Sequence, residues 1–316
     1  MIAIPLAVPR SAAARIAASA VALAAIIVAG SDPGLIALAR GTAQPAGVVS
    51  TELLIGAGDI GDCQSTAAEA TARLLERSEA TVFTAGDNAY DSGTVGEFTR
   101  CYAPTWGRYR ARTRPALGNH DYVADGQATA YFSYFGAAAG DPARGYYSYD
   151  LGPWHIVVLN SNCARIGGCV SGSAQERWLR EDLEAHRAFC TLAIWHHPLF
   201  SSGSEHGATA AVQPLWIALE EAGAEVVING HDHDYERFAP QSAQGVADPV
   251  RGIREFVVGT GGAPLRRLAA RAPNSEAADG GTFGVLLLTL RADGYDWRFL
   301  GTAGSSFSDA GTDRCH

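Results

Sequence analysis

The chain has 316 residues, of which 47% are hydrophobic and 18% charged, and its formal net charge is −9. This composition is typical of a globular chain with one large or two small domains, and it excludes an intrinsically disordered chain. The acidic balance makes nucleic acid an unexpected partner, and because all 24 basic residues are arginines, a lysine nucleophile and a P-loop lysine are excluded.

Residues 1–39 are predicted to be a signal peptide. Arg10 and Arg15 precede an apolar run from Ile16 to Ala29, which is shorter than the roughly 20 residues of a membrane-spanning helix. An uncleaved N-terminal anchor is the alternative, and it is the one expected route to a membrane. Residues 40–50 are predicted to be a linker and residues 51–316 a single globular domain. The chain is therefore expected to be secreted or extracytoplasmic.

Strands and helices alternate in the first part of the predicted domain, whereas its last part is rich in strands. Strands are predicted at 53–55, 81–84, 114–117, 146–151, 155–159, 191–195, 226–228, 255–258, 285–290 and 295–300. Helices are predicted at 66–78, 127–135, 173–186 and 213–222. The alternation favours an α/β fold, and the strands near the end favour a second sheet.

Six cysteines in an exported chain favour disulfide bonds. Cys163 and Cys169 are close enough in sequence to close a small loop, and Cys315 is placed to fix the C-terminal tail. Six cysteines allow 15 pairings, so Cys63–Cys101 with Cys190–Cys315 is only the simplest completion. A zinc site made of cysteines is the alternative, although the sequence contains no CxxC motif.

Five polar motifs directly follow predicted strands. They are GDIG at 58–61, GDNAY at 86–90, GNHD at 118–121, HHP at 196–198 and GHDH at 230–233. Ligands of α/β sheets bind outside the carboxyl ends of the strands, so these side chains are expected to meet at one edge. Carboxylates and imidazoles suit iron, zinc or manganese, and one carboxylate can bridge two ions with its two oxygens. The motifs therefore predict a pair of metal ions, with glycines that permit close approach of the backbone.

In this order, and with IWHHP at 194–198 and GHDHDYER at 230–237, the motifs resemble the calcineurin-like metallophosphoesterases. The tyrosine of GDNAY resembles the purple acid phosphatase branch, and the resemblance spans residues 53–237. It implies an α/β fold of two mixed β-sheets packed as a sandwich and flanked by helices, with residues 51–316 as a metallophosphatase catalytic domain. Many metallophosphodiesterases have a histidine at the position of Gly61; here Tyr90 can take its place beside a trivalent ion.

The resemblance also implies two sets of metal ligands. A ferric ion, Fe(III), would be held by Asp59, Asp87, Tyr90 and His233. A second ion, Zn, Fe or Mn(II), would be held by Asp87, Asn119, His196 and His231. The alternative for Tyr90 is a buried aromatic residue whose hydroxyl only forms hydrogen bonds.

Three further histidines are candidates for roles with the substrate. His120 and His206 are expected to protonate the leaving group, and His197 is expected to orient the site or contact phosphate. Asp87 and Asp121 are the two candidates for influencing the charge of His120, and the sequence does not decide between them. The metal pair would clamp phosphate oxygens and supply a hydroxide that attacks phosphorus in line with the leaving alkoxide.

The sequence therefore predicts a secreted phosphoric monoester hydrolase that acts on small phosphate esters. A phosphodiesterase or nucleotidase with the same metals is the nearest alternative. A binding protein that keeps the fold without turnover and an iron-dependent redox protein are more distant ones. Arg237 is expected to pair with Asp234 or Glu236. Three histidines outside the motifs, His155, His186 and His316, are predicted to be structural or surface residues.

Overall fold

The computed structural model describes residues 51–76 and 78–316. The predicted signal peptide or anchor (1–39) and the predicted linker (40–50) lie outside the described residues. Thirteen strands form two sheets. The strands are β1 (Glu52–Ala57), β2 (Thr81–Thr84), β3 (Thr113–Pro115), β4 (Tyr147–Leu151), β5 (Trp154–Val158), β6 (Cys190–Ile194), β7 (Val226–Asn229), β8 (Tyr235–Phe238), β9 (Arg254–Val258), β10 (Ser275–Asp279), β11 (Gly284–Arg291), β12 (Gly294–Gly301) and β13 (Ala310–Arg314). The α-helices are α1 (Ala67–Leu75), α2 (Val95–Glu97), α3 (Thr129–Phe135), α4 (Ala174–Ala185) and α5 (Gln213–Glu221).

Both sheets are mixed. The first has the order β13-β12-β11-β1-β2-β3, in which β1, β2 and β3 are parallel and the other pairs are antiparallel. The second has the order β10-β8-β9-β7-β6-β5-β4, and its central strands β5, β6, β7 and β9 are parallel. The parallel strands of each sheet end at the edge where the polar motifs follow, which positions the candidate site.

The two sheets share one apolar core. Alternate residues of the second sheet, such as Ile156 and Leu192, pack in the same buried cluster as Leu54 and Leu286 of the first sheet. The residues between them point to the other face and pack on α4 and α5 in a separate cluster that includes Val157, Ala193, Leu179 and Leu215. This alternation is that of strands buried on both faces. It confirms the predicted sandwich of two mixed sheets with flanking helices.

Most predicted elements are present with small shifts at their ends, but three strands were missed. The missed strands are β8, β10 and β13. Strand β8 overlaps the motif at 230–237, which was interpreted only as a source of metal ligands. Strands β10 and β13 lie at the edges of their sheets and have few apolar residues. Helix α3 begins at Thr129, two residues later than predicted, because the Asp125 carboxylate accepts hydrogen bonds from the backbone N–H groups of Gln127 and Thr129 and holds a turn there.

All six cysteines form disulfides, in the pairs Cys63–Cys101, Cys163–Cys169 and Cys190–Cys315. No cysteine of the described residues is free, so the alternative of a cysteine zinc site is wrong. In the described part of the chain, no helix has both the length and the apolar content needed to cross a bilayer.

Candidate metal centre

The side chains predicted as metal ligands follow five strands and come together between the carboxyl ends of the two sheets. Asp59, Asp87 and Asn119 follow β1, β2 and β3 of the first sheet. His196 follows β6, and His231 and His233 follow β7 in the second sheet. The structure thus brings together residues separated by up to 174 positions, from Asp59 to His233, which lie 3.3 Å apart between Oδ1 and Nε2.

One group of donors surrounds the hydroxyl of Tyr90. This oxygen lies 2.7 Å from Oδ1 of Asp59, 2.9 Å from Oδ2 of Asp87 and 3.2 Å from Nε2 of His233. These four residues are the ones that the resemblance implies for a ferric ion. The phenol oxygen faces the same point as the other three donors.

A second group surrounds Nε2 of His196. This nitrogen lies 3.0 Å from Oδ1 of Asn119, 3.2 Å from Nδ1 of His231 and 3.2 Å from Oδ2 of Asp87. These residues are the set implied for the second ion. A buried carboxylate, an amide oxygen and two imidazoles form a donor set suited to a divalent transition ion.

Asp87 belongs to both groups through one oxygen. Its Oδ2 is the atom that contacts Tyr90 on one side and His196 on the other. Its Oδ1 instead accepts a hydrogen bond of 2.7 Å from the backbone N–H of His120. Asp87 is therefore the residue that would be shared by the two ions, with Oδ2 as the oxygen that faces both donor groups.

Backbone carbonyls orient two of the histidines. Nδ1 of His196 lies 2.8 Å from the carbonyl oxygen of Ala85, and Nδ1 of His233 lies 2.8 Å from that of Pro264. A carbonyl accepts the N–H of such a ring and leaves the opposite nitrogen without a proton. In both residues Nε2 is the nitrogen that faces the other donors, as a metal ligand requires.

The backbone is strained at three of these residues. Asp59, Asp87 and His231 have φ values of 61°, 51° and 73°, in the left-handed region that residues with a side chain rarely adopt. Only two other non-glycine residues of the described chain, Ala128 and Asn274, have positive φ. Because such strain is common at functional sites, the backbone conformation is a second indication, independent of the side chains, that these residues form one.

Two glycines make room for the donors. A Cβ atom on Gly118 would lie 2.0 Å from Oδ1 of Asp87, and one on Gly86 would lie 2.5 Å from Nδ1 of His196. Gly86 also has a φ of +90°. These contacts explain in detail why glycines precede the predicted ligands.

The buried carboxylates of the centre form ion pairs only with histidines in the described residues, and although burial opposes it, the Asp87 carboxylate raises the pKa of His196 to about 9. Asp59 and Asp87 are buried, and in the described residues no arginine forms an ion pair with either. Burial, together with the neighbouring carboxylates of Asp59 and Asp87, raises the pKa of Tyr90 well above its usual value. Without a cation the phenol therefore keeps its proton and donates it to a carboxylate. A bound cation would neutralise the carboxylates and favour the phenolate, so the residues present fit a metal pair.

His120 lies beside this centre. Its ring packs against that of Tyr90 with centroids 4.5 Å apart, and its Nε2 lies 4.0 Å from Oδ2 of Asp87. Asp121 does not face His120. Its carboxylate accepts hydrogen bonds from the backbone N–H groups of Asn88 and Gly118. Burial and the charge of Asp87 raise the pKa of Asp121 to about 7. The expectation that Asp121 influences His120 is thus replaced by a role in holding two ligand loops.

His206 and His197 both pack against His231. The ring of His206 stacks on it at 4.2 Å, and Nε2 of His206 accepts a hydrogen bond from Arg266. Burial and the charge of Arg266 lower the pKa of His206. The ring of His197 lies 4.3 Å from that of His231, with its Nδ1 held 2.7 Å from Oγ of Ser161. Burial and the neighbouring His196 lower the pKa of His197 to about 3, so this ring stays neutral.

Two features beside the candidate centre were not predicted from the sequence. Arg266 lines an open cleft of about 770 Å³ beside the centre, together with Tyr90, His120 and His233, and it is the one arginine in that lining. Asp232 accepts hydrogen bonds from Oγ of Ser201 and from the backbone N–H of Gly207, and so ties the loop that carries His206 to the ligand motif. No sequence pattern marks Arg266, which follows the last motif by 29 residues.

The residues after His233 support the second sheet and the neighbouring loop. The Glu236 carboxylate accepts hydrogen bonds from the backbone N–H and the hydroxyl of Ser202. Arg237 pairs instead with Asp309 and Glu276. The prediction that Arg237 pairs with Asp234 or Glu236 is wrong because its side chain points toward the end of the chain, where it also lies over the ring of Trp297.

Known proteins share part of this sequence. Residues 54–235 match the model of the calcineurin-like phosphoesterase family. Purple acid phosphatase 15 of Arabidopsis thaliana is 26% identical over 217 residues, which are 57% of this chain and 40% of that protein. The chain therefore spans less than half the length of this relative.

Solved structures show that the fold is shared. Purple acid phosphatase PPD1 from yellow lupin (Lupinus luteus) seeds matches with a TM-score of 0.72 at 18% identity, over 84% of this chain and 54% of that chain. GAP50, the anchor in the inner membrane complex of Plasmodium, matches with a TM-score of 0.65 at 12% identity, over 84% of this chain and 89% of that chain. With the family model covering more than half of its residues, the chain belongs to the calcineurin-like phosphoesterase family.

Proposed function

We propose that this chain is a secreted phosphatase that hydrolyses phosphate monoesters at a centre of two metal ions. The observation that carries the proposal is the position of Asp87, whose Oδ2 lies between a donor group with a phenol and a donor group with an amide oxygen. Three disulfides support an oxidising compartment and thus export. The family supports hydrolysis of a phosphoester.

We assign the two groups to different ions. The group around the Tyr90 hydroxyl, with Asp59, Asp87 and His233, would hold Fe(III), because a phenolate is a strong anionic donor. The group around Nε2 of His196, with Asp87, Asn119 and His231, would hold Zn, Fe or Mn(II). When bound, such a pair neutralises phosphate oxygens and lowers the pKa of water.

Side chains of this chain would bind the phosphate ester and transfer a proton to its leaving group. The cleft beside the centre admits a small substrate, and Arg266 faces it with a fixed positive charge. His120, which lines the cleft beside Tyr90, is placed to protonate the leaving oxygen. His206 was the other candidate, but its Nε2 accepts a hydrogen bond from Arg266, and burial and the charge of Arg266 lower its pKa, so we assign it to orienting Arg266. His197 lies deeper against His231, where we assign it to orienting that ring.

Preference for monoesters over diesters is tested by comparing two substrates of the purified chain. We expect kcat/KM for p-nitrophenyl phosphate to exceed that for bis-p-nitrophenyl phosphate by about 10-fold or more, equivalent to ~1.4 kcal/mol in the activation free energy. Arg266 and the metal pair together suit the two charges of a monoester. The opposite preference would assign the chain to the phosphodiesterases or nucleotidases, and no turnover of either ester would reject both assignments.

The assignment of Tyr90 predicts a coloured protein. We expect a ferric–tyrosinate absorption band in the visible spectrum, with about one iron and one second metal per chain. Tyr90→Phe should lose the band and most of the iron, because the phenol oxygen is one of four donors at that site. Tyr149→Phe is the matched control, since the Tyr149 hydroxyl is buried without a hydrogen-bond partner in the described residues. A wild-type protein that is colourless with two divalent ions would remove Tyr90 from the ligands.

The position of Arg266 predicts an effect on substrate binding. Arg266→Ala should raise KM for p-nitrophenyl phosphate by about 10-fold, because a hydrogen bond between charged groups contributes roughly 1.5–3 kcal/mol. Steady-state kinetics measure the change. Arg267→Ala is the control, since Arg267 is the exposed neighbour. An unchanged KM in Arg266→Ala would show that Arg266 holds His206 and Glu205 without touching the substrate.

A further inference from the structure

A second cluster of metal-ligating side chains lies away from the candidate metal centre. It consists of His155 on β5, Asp182 on α4 and His186, the residue that follows α4. In the sheet register His155 pairs with Thr191, near the amino end of β6, whereas the candidate centre follows the carboxyl end of that strand. The cluster is therefore at the opposite edge of the second sheet.

The donor atoms of this cluster converge. Nε2 of His155 lies 2.9 Å from Oδ2 of Asp182, and Nδ1 of His186 lies 3.2 Å from Oδ1 of the same carboxylate. The same Nδ1 lies 3.0 Å from the backbone carbonyl oxygen of Asp182, a contact that a bound ion would replace. One ligand atom from each of the three residues lies within 4.8 Å of the other two. The two imidazole rings are nearly parallel, with an interplanar angle of 9° and centroids 4.9 Å apart. Both rings thus direct a nitrogen toward the Asp182 carboxylate from the same side.

Neighbouring groups hold these ligands in place. Oδ1 of Asp150 lies 2.8 Å from Nδ1 of His155, and the Ser148 hydroxyl donates to Oδ1 of Asp182 at 2.8 Å. A carboxylate that accepts the N–H of one ring nitrogen fixes the orientation of a ligating histidine and makes the other nitrogen a better donor. Asp150 therefore leaves Nε2 of His155 directed at the cluster.

The cluster borders solvent through His186, whereas His155 and Asp182 are buried. The His186 side chain is 49% exposed, and two adjoining clefts of about 630 and 230 Å³ are both lined by His186, Arg187 and Ala188. Three protein ligands leave coordination positions that water can fill. The cluster also lies at the C-terminal end of α4, where the partial negative charge of the helix favours a cation.

We propose that His155, Asp182 and His186 form an additional binding site for one divalent transition-metal ion of the zinc type, separate from the two-metal centre. Two imidazoles and a carboxylate select such a borderline ion over Mg²⁺ or Ca²⁺, which prefer oxygen ligands alone. The ion would fasten the end of α4 to the β4–β5 hairpin. It lies too far from the candidate substrate cleft to take part in hydrolysis, since it is at the other edge of the sheet.

A proton is the rival occupant. Burial opposes a charge on His155, but hydrogen bonds to Asp182 and Asp150 raise its pKa overall. An imidazolium held between two carboxylates would fill the same space as the ion. Metal content distinguishes the two occupants, because only the metal adds an atom that can be counted.

The test counts zinc ions in the full chain after metal removal and equilibration with Zn²⁺. We expect wild type to bind one more Zn²⁺ per chain than His186→Ala, by elemental analysis and calorimetry, with phosphatase activity unchanged. Asp150→Asn should weaken that one site about 10–100-fold, the usual cost of losing a partner of a metal-bound histidine. Glu184→Gln is the matched control, since it removes a carboxylate from the same cleft but not from the cluster.

Equal zinc content and affinity in wild type, His186→Ala and Asp150→Asn would overturn the proposal and leave the imidazolium as the occupant. His186 and Asp150 are both exposed, with 49% and 69% of their side chains accessible, so neither variant threatens folding. The difference between variants does not depend on how many ions the two-metal centre holds. Failure of the proposed phosphatase function would therefore leave this count unaffected.

Discussion

Asp87→Asn is expected to lower kcat/KM for p-nitrophenyl phosphate by at least about 1,000-fold, equivalent to ~4 kcal/mol in the activation free energy. The reason is the single oxygen that Asp87 places between the two donor groups, 2.9 Å from the Tyr90 hydroxyl and 3.2 Å from Nε2 of His196. An amide can present one weak neutral oxygen there, and it cannot balance two cations. We therefore expect loss of metal and loss of turnover together.

The measurement combines steady-state kinetics with elemental analysis of the purified variant. Asp293→Asn is the matched control, because the Asp293 side chain is 71% exposed and distant from the centre. Thermal unfolding should show that Asp87→Asn remains folded, since asparagine has the same shape and tolerates the left-handed backbone at this position. A variant that keeps both metals and more than about a tenth of wild-type kcat/KM would contradict the assignment of Asp87 as the shared ligand.

Removing the Cys190–Cys315 disulfide should cause the largest loss of stability among the three disulfides. Its cysteines are 125 residues apart, so the bond restricts a long segment of the unfolded chain. The chain-entropy model gives an expected decrease of about 5 kcal/mol in the free energy of unfolding. The bond also connects the start of β6 in one sheet to the residue that follows β13 in the other.

The experiment compares urea unfolding of two double variants under non-reducing conditions. Cys190→Ala/Cys315→Ala should lose more stability than Cys163→Ala/Cys169→Ala, whose cysteines are only 6 residues apart and for which the same model gives about 2 kcal/mol. A greater loss from the short loop would mean that packing around Cys169, which is buried, outweighs chain entropy.

The sequence was sufficient to predict the fold class and the sheet edge at which the predicted ligand side chains converge. Asp59, Asp87 and His196 each follow a short apolar strand, and parallel strands bring their carboxyl ends to one edge. That geometry depends on backbone topology more than on side-chain detail, so it is visible in the order of motifs. The branch of the family depended on a single residue type, the tyrosine at position 90.

The remaining features depend on side chains that meet across loops. Arg266 reaches His206 from a segment without regular secondary structure, and Asp232 reaches Gly207 across a turn. Neither contact has a periodicity that a sequence can display. Strand β13 was missed for a related reason, since an edge strand of exposed polar residues lacks the apolar alternation of a buried one. The cluster of His155 and Asp182 likewise joins a strand to a helix 27 residues away.

The left-handed backbone at Asp59, Asp87 and His231 implies a conflict between durability and catalysis in this molecule. Each such residue costs of the order of 1–3 kcal/mol, and two of them also bury a carboxylate. Glycine would remove the backbone strain at all three positions and the buried carboxylate at two of them. It would also remove the side chains proposed to bind the metals. A search for thermostable variants that does not also select for turnover should therefore accumulate glycine at positions 59, 87 and 231. Selection for activity is what keeps the costly residues in place.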